Sequence, residues 1–535
     1  MNMKIEDAID LSLKNIAKHG DTDVFPFPLE TLIFHDKPDE CKALLLDMHS
    51  NFDDFIARFP PNSLETLTQV GYTGFRWATQ IEPFWNAYYL ALVVMLAEQI
   101  EQQRVPIDEQ AIHSYRFSWT DDDAKLFSDS SWKDYRQRSF DLSQEFSYVV
   151  ITDIADFYPR IYHHRLENAL NRLPDTSDIP RRIMRLLGNF SKNVSYGLPV
   201  GGPASRILSE LCLDSTDKLL LRNKVEFCRY ADDYSIFCSD KKDAYRVLVL
   251  LSQSLINEGL VLQKNKTKIL SSEEFRASTK LLDPKDAKDP LADEEQKLLN
   301  ITLRYDPYSE TAEDDYEALK AAMSNIDIVG ILGREVAKTN IDSTVTKQAI
   351  KAIQALEPEE QHKAVTTLLS ESNLEVLAPV FVTVMRAVRG VYDQLPDTGK
   401  QFVDHELIRL YESDSYLLSV DLNLSFYLQA LSRNQNARKE EIFIEIYDRA
   451  TNPLIKRQII LAMANWKCHY WLTDLRRQYA GLSEWEKRYF IGASYVLGDE
   501  GKHWRAHTKA TWSPMDNLAR AWLADRMQKE RWLPL

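Results

Sequence analysis

The chain has 535 residues, of which 44% are hydrophobic and 27% charged, and a formal net charge of −15. That balance excludes extensive disorder and argues against a protein that coats long nucleic acid by counterion release. The length allows roughly three to four domains. The five cysteines (Cys41, Cys212, Cys228, Cys238 and Cys468) form no CxxC pair and no Cys/His metal spacing, so buried, reduced thiols are expected rather than disulfides or zinc ligands.

Residues 1–137 read as a mainly helical N-terminal region. MNMKIEDAIDLSLKNIAKHG mixes acids and bases at helical spacing and lacks the apolar core of a signal peptide. The apolar run PFWNAYYLALVVMLA is short for a membrane span and suits a buried helix. A cytoplasmic protein is expected.

Residues 138–280 are the informative part. In FSYVVITDIADFYPRIYHHRLENAL the β-branched run Val149–Thr152 predicts a strand, and Pro159 interrupts it. Ile161, Leu166 and Leu170 then continue at helical spacing. Asp153 therefore stands at the C-terminal end of a strand, where it can project into a cleft. In SYGLPVGGPASRILSELCLDSTDKLLL, Gly201 and Gly202 let the backbone approach a ligand closely. RYADDYSIFC then sets Asp232 beside Asp233 in what reads as a β-hairpin. A helix over Ala244–Asn257 and the basic segment VLQKNKTKIL follow.

Two neighbouring carboxylates between apolar strands are costly unless a cation or a shifted pKa compensates. Residues 138–270 hold 19 Lys plus Arg against 16 Asp plus Glu, whereas the rest of the chain carries −18. The segment with the paired acids is thus also the basic one, which fits an anionic substrate there. Asp153, Asp232 and Asp233 make an oxygen donor set of the kind that holds two Mg²⁺ or Mn²⁺ ions for nucleotidyl transfer. His163 and His164 have no third partner at a metal spacing and read as helix-face residues.

Residues 281–318 are rich in Asp, Glu and Pro and read as an acidic junction. The segment 319–535 is helical in pattern, and residues 454–476 align with 485–507, pairing Lys456-Arg457 with Lys487-Arg488. An α-helical HEAT-like repeat domain explains the offset, an ordinary helical bundle being the alternative. Ser483 and Glu486 form a candidate capping box.

DIADFYPRI, YGLPVGGPAS, YADD and LVLQKNKTKI, in that order and spacing, resemble motifs A, B, C and D of reverse transcriptases. FRWATQIEP and HSYRF resemble weaker finger motifs upstream. The form of motif B, the helical C-terminal half and the length are most similar to the AbiK-like abortive-infection polymerases of bacterial phage defence. The resemblance implies an α+β reverse-transcriptase-like fingers and palm followed by the helical domain. It also implies a DNA nucleotidyltransferase using dNTPs and two Mg²⁺ (or Mn²⁺) ions, and DNA synthesis without a template, started on a protein hydroxyl. A single-stranded DNA product covalently attached to the protein, a homo-oligomer, a bacterial cytoplasmic location and no membrane partner go with it.

Carried over position by position, Asp153, Asp232 and Asp233 are the implied catalytic acids, and with the Ile154 carbonyl the metal ligands. Tyr158 falls on the steric-gate position, a core aromatic beside Phe157 being the alternative. Lys266 matches the motif D lysine near the leaving pyrophosphate, with a solvated basic strand as alternative. Arg76 is a finger arginine for the triphosphate, or one half of an exposed salt bridge, and Gly201 completes the nucleotide-binding set. Asp156 has a weaker claim as a ligand. Tyr196 and Val200 stand where motif B usually has glutamines, which departs from templated copying. The priming residue is unknown, with Tyr72, Tyr305 and Tyr308 among the candidates. A templated polymerase of the retron or group II intron kind and a non-catalytic, nucleotide-dependent scaffold are the alternative functions.

Overall fold

A computed structural model describes residues 3–128, 132–174, 178–192, 194–278, 294–295, 297–299 and 326–529. Most of the acidic junction, including Tyr305 and Tyr308, lies outside the described residues. The chain divides into two compact units: residues 1–65, 78–283 and 513–522 in the first, and 66–77, 284–512 and 523–535 in the second.

The first unit is built on a four-stranded antiparallel sheet whose order is β6 (Glu226–Tyr230), β7 (Asp233–Cys238), β5 (Tyr148–Asp153) and β8 (Lys268–Ser271). The β-branched run becomes β5 (Tyr148–Asp153), flanked by β7 (Asp233–Cys238) and β8 (Lys268–Ser271), and β6 (Glu226–Tyr230) pairs with the far side of β7. One face of this sheet is covered by a cluster of Tyr135, Leu142, Val149, Cys228, Phe237 and Phe275. The helix Lys241–Asn257 packs on β5 and β7. It starts at Asp240, whose side chain accepts from the Asp243 amide at 2.7 Å, an N-cap of the kind that contributes about 1 kcal/mol.

The apolar run forms the helix Pro83–Gln103, capped by Glu82, which accepts from the Trp85 amide at 3.0 Å, with Pro83 in the first turn where no N–H is needed. Trp85, Tyr88, Leu90 and Val93 are buried, each contributing roughly 1.5–3 kcal/mol of transfer free energy. The helix Ile5–His19 packs along it, and Ser12 donates to the Ala87 carbonyl at 2.7 Å. No helix among the described residues is long and apolar enough to cross a membrane.

The N-terminal region holds more than helices, because two hairpins interrupt it: β1 (Ser63–Val70) with β2 (Gly74–Ile81), and β3 (Phe117–Thr120) with β4 (Lys125–Phe127). Residues 66–77 of the first hairpin belong to the second unit, where the Tyr72 hydroxyl donates to the Val376 carbonyl at 2.8 Å and accepts from the Ile341 amide at 3.0 Å.

Among the described residues, the second unit has no regular structure but helix apart from that hairpin tip. The helices Phe381–Val391, Asp421–Leu431, Pro453–Asn465 and Glu484–Ala493 stack each on the next, and Asp397–Glu412, Ala437–Arg449, His469–Arg477 and Gly498–Thr508 alternate with them along the chain. The aligned segments 454–476 and 485–507 are thus two successive helix pairs. The capping box forms: the Glu486 amide donates to Ser483 Oγ at 3.3 Å and the Ser483 amide to Glu486 Oε2 at 3.1 Å. The observed α+β region followed by a helical domain is the fold class expected from the sequence.

Candidate active site

β5 and β7 run antiparallel in a register that makes Asp153 the direct partner of Asp233. Their hairpin partner β6 ends at Tyr230, itself opposite Asp233, so Ala231 and Asp232 form a two-residue turn. Ala231 takes a left-handed conformation, φ 52°, as tight hairpin turns require. The Asp232 carbonyl accepts from the Ile154 amide at 3.1 Å, which fastens the turn to the end of β5. Three carboxylates from two strand ends are therefore gathered at one edge of the sheet.

The segment after β5 is bound on its other side. The Gln263 amide donates to the Asp153 carbonyl at 2.7 Å and the Ala155 amide to the Val261 carbonyl at 2.9 Å. Thr152 and Thr267 share a hydroxyl hydrogen bond of 2.7 Å. This brings Lys266 to the acids, where its ammonium donates to Asp153 Oδ2.

The electrostatics follow from that crowding. Asp233 is pushed up to about 7 by burial, then by the negative charges of Asp232 and Asp153, with Lys266 opposing. Burial works to lower the pKa of Lys266, but its hydrogen bond to Asp153 and the surrounding carboxylates outweigh this and raise it. A buried carboxyl held protonated by like charges is a common signature of functional sites.

Beneath the turn lies a charged network that the sequence motifs did not single out. Arg229, fully buried on β6, donates to Asp217 Oδ1 at 3.0 Å and Oδ2 at 2.7 Å, to Glu210 Oε1 at 3.2 Å and Oε2 at 2.7 Å, and to the Ala231 carbonyl at 2.8 Å. Arg104 and Ser114 also donate to Glu210, and the Tyr234 hydroxyl donates to Asp217. Burial alone would raise the pKa of Glu210, but the guanidiniums of Arg104 and Arg229 hold it below its ordinary value. Removing one partner from such a network leaves an uncompensated buried charge. Arg229 thus anchors the turn that carries Asp232.

Tyr158 lies in the short helix Phe157–Arg160, half-buried, with its hydroxyl hydrogen-bonded to Ser209 and Tyr115 and its carbonyl accepting from the Leu198 amide at 2.9 Å. Burial drives its pKa well above the phenol value. The ring is therefore fixed from both ends. Asp156 is exposed and its side chain pairs with Arg160 at 3.5 Å, away from the three acids. His163 bonds to the Gly197 carbonyl and His164 is exposed, as expected of helix-face residues.

Gly201 has φ 109°, a region that L side chains rarely adopt. A Cβ here would stand 3.1 Å from Asp23 Oδ1, 3.2 Å from Val24 Cγ2 and 3.3 Å from Thr22 Cβ. The close approach expected at this glycine is made by the chain's own N-terminal loop. That loop is held by Arg206, which pairs with Asp23 at 2.6 Å and lies over the Tyr115 ring at 5.2 Å. No local signal in the sequence connects Asp23 with motif B. Arg76 is exposed on β2, in the second unit, whereas the three acids belong to the first.

Among the described residues, no three His, Cys, Asp or Glu side chains are arranged as a ready metal cage. The donor chemistry nevertheless suits a hard divalent cation: three carboxylates and a backbone carbonyl, all oxygen, whose mutual repulsion a cation would relieve.

Residues 92–301 match the family model described as reverse transcriptase (RNA-dependent DNA polymerase), so the chain carries a reverse-transcriptase domain, the domain of nucleotidyl-transferring polymerases. Among solved structures it is similar to telomerase from Candida albicans in complex with a fragment of telomeric RNA, with 9% identity, 67% of this chain and 70% of that chain covered, and a TM-score of 0.31. It is likewise similar to apo telomerase from Candida tropicalis, with 12% identity, 66% and 72% covered, and a TM-score of 0.31. No curated protein matches the sequence.

Proposed function

We propose that this protein is a DNA polymerase that starts synthesis on one of its own hydroxyl groups, needs no template, and acts in abortive-infection defence against bacteriophage. The observation that carries the polymerase reading is the register pairing of Asp153 with Asp233, with Asp232 in the adjoining turn and Lys266 on Asp153. Asp153, Asp232, Asp233 and the Ile154 carbonyl would hold two Mg²⁺ or Mn²⁺ ions. When bound, these supply charge neutralisation at the attacking and leaving oxygens of an in-line displacement.

The chain's own residues do the rest. A protein hydroxyl oxygen bonds to the α-phosphorus of a dNTP and loses its proton to solvent, while the bond from that phosphorus to pyrophosphate breaks; later additions use the 3′-hydroxyl of the strand. Lys266 gives a proton to the pyrophosphate oxygen as its bond to the α-phosphorus breaks, and is left as the neutral amine. Tyr158, fixed by Ser209 and Tyr115, stands against a ribose 2′-hydroxyl and selects deoxynucleotides.

Template independence is supported by Tyr196 and Val200 in place of the motif B glutamines and by the N-terminal loop seated against Gly201. The matched family's description, an RNA-dependent polymerase, favours templated copying as the second reading. The test is incubation of purified protein with Mn²⁺ or Mg²⁺ and labelled dNTPs, with and without primer and template, followed by denaturing gels before and after proteinase digestion. Label that migrates with the protein until digestion, without added nucleic acid, supports the proposal. Label that requires primer and template overturns it in favour of templated copying.

A further inference from the structure

The segment that follows Asp153 runs antiparallel beside the loop that carries Tyr196. The Leu198 amide donates to the Tyr158 carbonyl at 2.9 Å, the Gly197 amide to the Ile161 carbonyl at 2.8 Å and the His163 amide to the Ser195 carbonyl at 3.1 Å. This short ribbon sets Tyr162 directly opposite Tyr196, with ring centroids 6.3 Å apart and planes inclined by 49°. The two residues nevertheless stay 48% and 51% exposed. Surface aromatics standing singly need no explanation, but a touching pair keeps apolar faces in water where a ligand can cover them.

The ribbon is also built into the carboxylate centre. The Tyr162 ring lies against Gly259, which has φ 82°, and a Cβ there would stand 2.5 Å from both Cδ2 and Cε2 of the ring. Two residues further on, the exposed Val261 accepts through its carbonyl from the Ala155 amide at 2.9 Å, and the Gln263 amide donates to the Asp153 carbonyl at 2.7 Å. The support of the ring and the end of β5 therefore share one backbone network. All of this lies within residues 138–270, the stretch with 19 Lys plus Arg against 16 Asp plus Glu, and Lys264 beside it is exposed. Aromatic faces next to a basic surface suit a single strand of nucleic acid, whose bases stack on tyrosine whatever their sequence.

We propose that Tyr162 and Tyr196 form a stacking platform for a base of a single strand held at the carboxylate centre. The proposal rests on the polymerase reading for the origin of the strand, and its test needs no catalysis. The full chain, in EDTA and without nucleotides, is titrated against a labelled oligo(dT) of about 20 nucleotides, longer than most single-strand sites, and against an abasic strand of the same length. Fluorescence anisotropy follows binding as a function of salt.

Tyr162→Ala with Tyr196→Ala should weaken oligo(dT) binding by about 10-fold, the loss of one stacked base, and leave the log–log salt slope unchanged because no phosphate contact is removed. The abasic strand should bind the parent more weakly and lose nothing further in the variant. Tyr162→Phe with Tyr196→Phe, which keeps both rings, should match the parent. Circular dichroism and melting establish that each variant is folded, and Tyr196→Ala alone serves if the double change does not fold. Unchanged oligo(dT) affinity in a folded Ala variant would overturn the proposal, as would an equal loss on the abasic strand or no measurable binding by the parent. Weakened oligo(dT) binding in a protein whose parent incorporates no nucleotide would leave the platform standing and remove the polymerase reading. Incorporation by the parent with oligo(dT) affinity unchanged in the variant would do the reverse.

Discussion

Asp153 and Asp233 face each other across one register position of β5 and β7, and Lys266 is bonded to the first of them while the second is held protonated up to about 7. If these carboxylates are the catalytic acids, Asp153→Asn and Asp233→Asn should each lower nucleotide incorporation by at least about 10³-fold, the effect of removing roughly 4 kcal/mol of transition-state stabilisation. Both changes are isosteric, so the melting temperature should not fall. A folded variant that keeps a tenth of the activity would count against the assignment.

The raised pKa of Asp233 has a definite sign in stability. Its carboxyl is protonated in the folded state up to about 7, whereas the unfolded chain releases the proton above 3.8. The folded state then binds more protons across that window, so stability in EDTA should fall as pH rises from about 4 to about 7. Asp233→Asn should flatten this part of the profile. Urea midpoints measured across the window, with and without the substitution, give the comparison.

Arg229 is predicted to matter more for folding than for chemistry. Arg229→Met would leave Glu210 and Asp217 without their shared guanidinium and release the Ala231 carbonyl. A loss of about 3–5 kcal/mol is expected, read from denaturant unfolding. Arg229→Met combined with Asp217→Asn should recover part of that loss, because Asp217 then carries no orphaned charge while Glu210 keeps its bond to Arg104.

How far these features were legible in the sequence depends on the range of the interactions that make them. The strand before Asp153, the turn at Asp232, the helix Pro83–Gln103 and the Ser483–Glu486 cap all arise from contacts within a few residues, and their patterns stand in the sequence directly. The Arg229 network draws on Arg104, Ser114, Glu210 and Asp217, brought together only by tertiary packing. The contact of Asp23 with Gly201 is of the same long-range kind. The hairpin β1–β2 was not legible because its apolar positions do not alternate: on β1 the polar Thr66 is buried and the apolar Leu67 exposed.

Lys266 should influence metal binding and turnover in opposite directions. Lys266→Met removes a positive charge from Asp153, so Mn²⁺ titrations should show tighter binding, while incorporation slows by about 10- to 100-fold for loss of a positioned cationic acid. Lys266→Arg should restore part of the rate. Weaker metal binding in the Met variant would show that Lys266 supports the cation site rather than competing with it.

Tyr158 gives a specificity prediction. Tyr158→Ala should raise incorporation of ribonucleotides relative to deoxynucleotides by about 10- to 100-fold, as expected when a steric clash worth about 1.4–3 kcal/mol is relieved. Tyr158→Phe, which keeps the ring and loses the bonds to Ser209 and Tyr115, should stay close to the parent in selectivity. Competition between rATP and dATP measures both.

The central claim is that the carboxylates at the ends of β5 and β7 add nucleotides to the protein itself. Intact-protein mass spectrometry after incubation with Mn²⁺ and a single dNTP tests it most directly. A ladder of species, each heavier by one nucleoside monophosphate and absent from the Asp153→Asn protein, is the predicted result. An unshifted mass in the parent, under conditions where the same preparation extends a supplied primer on a template, would contradict the account.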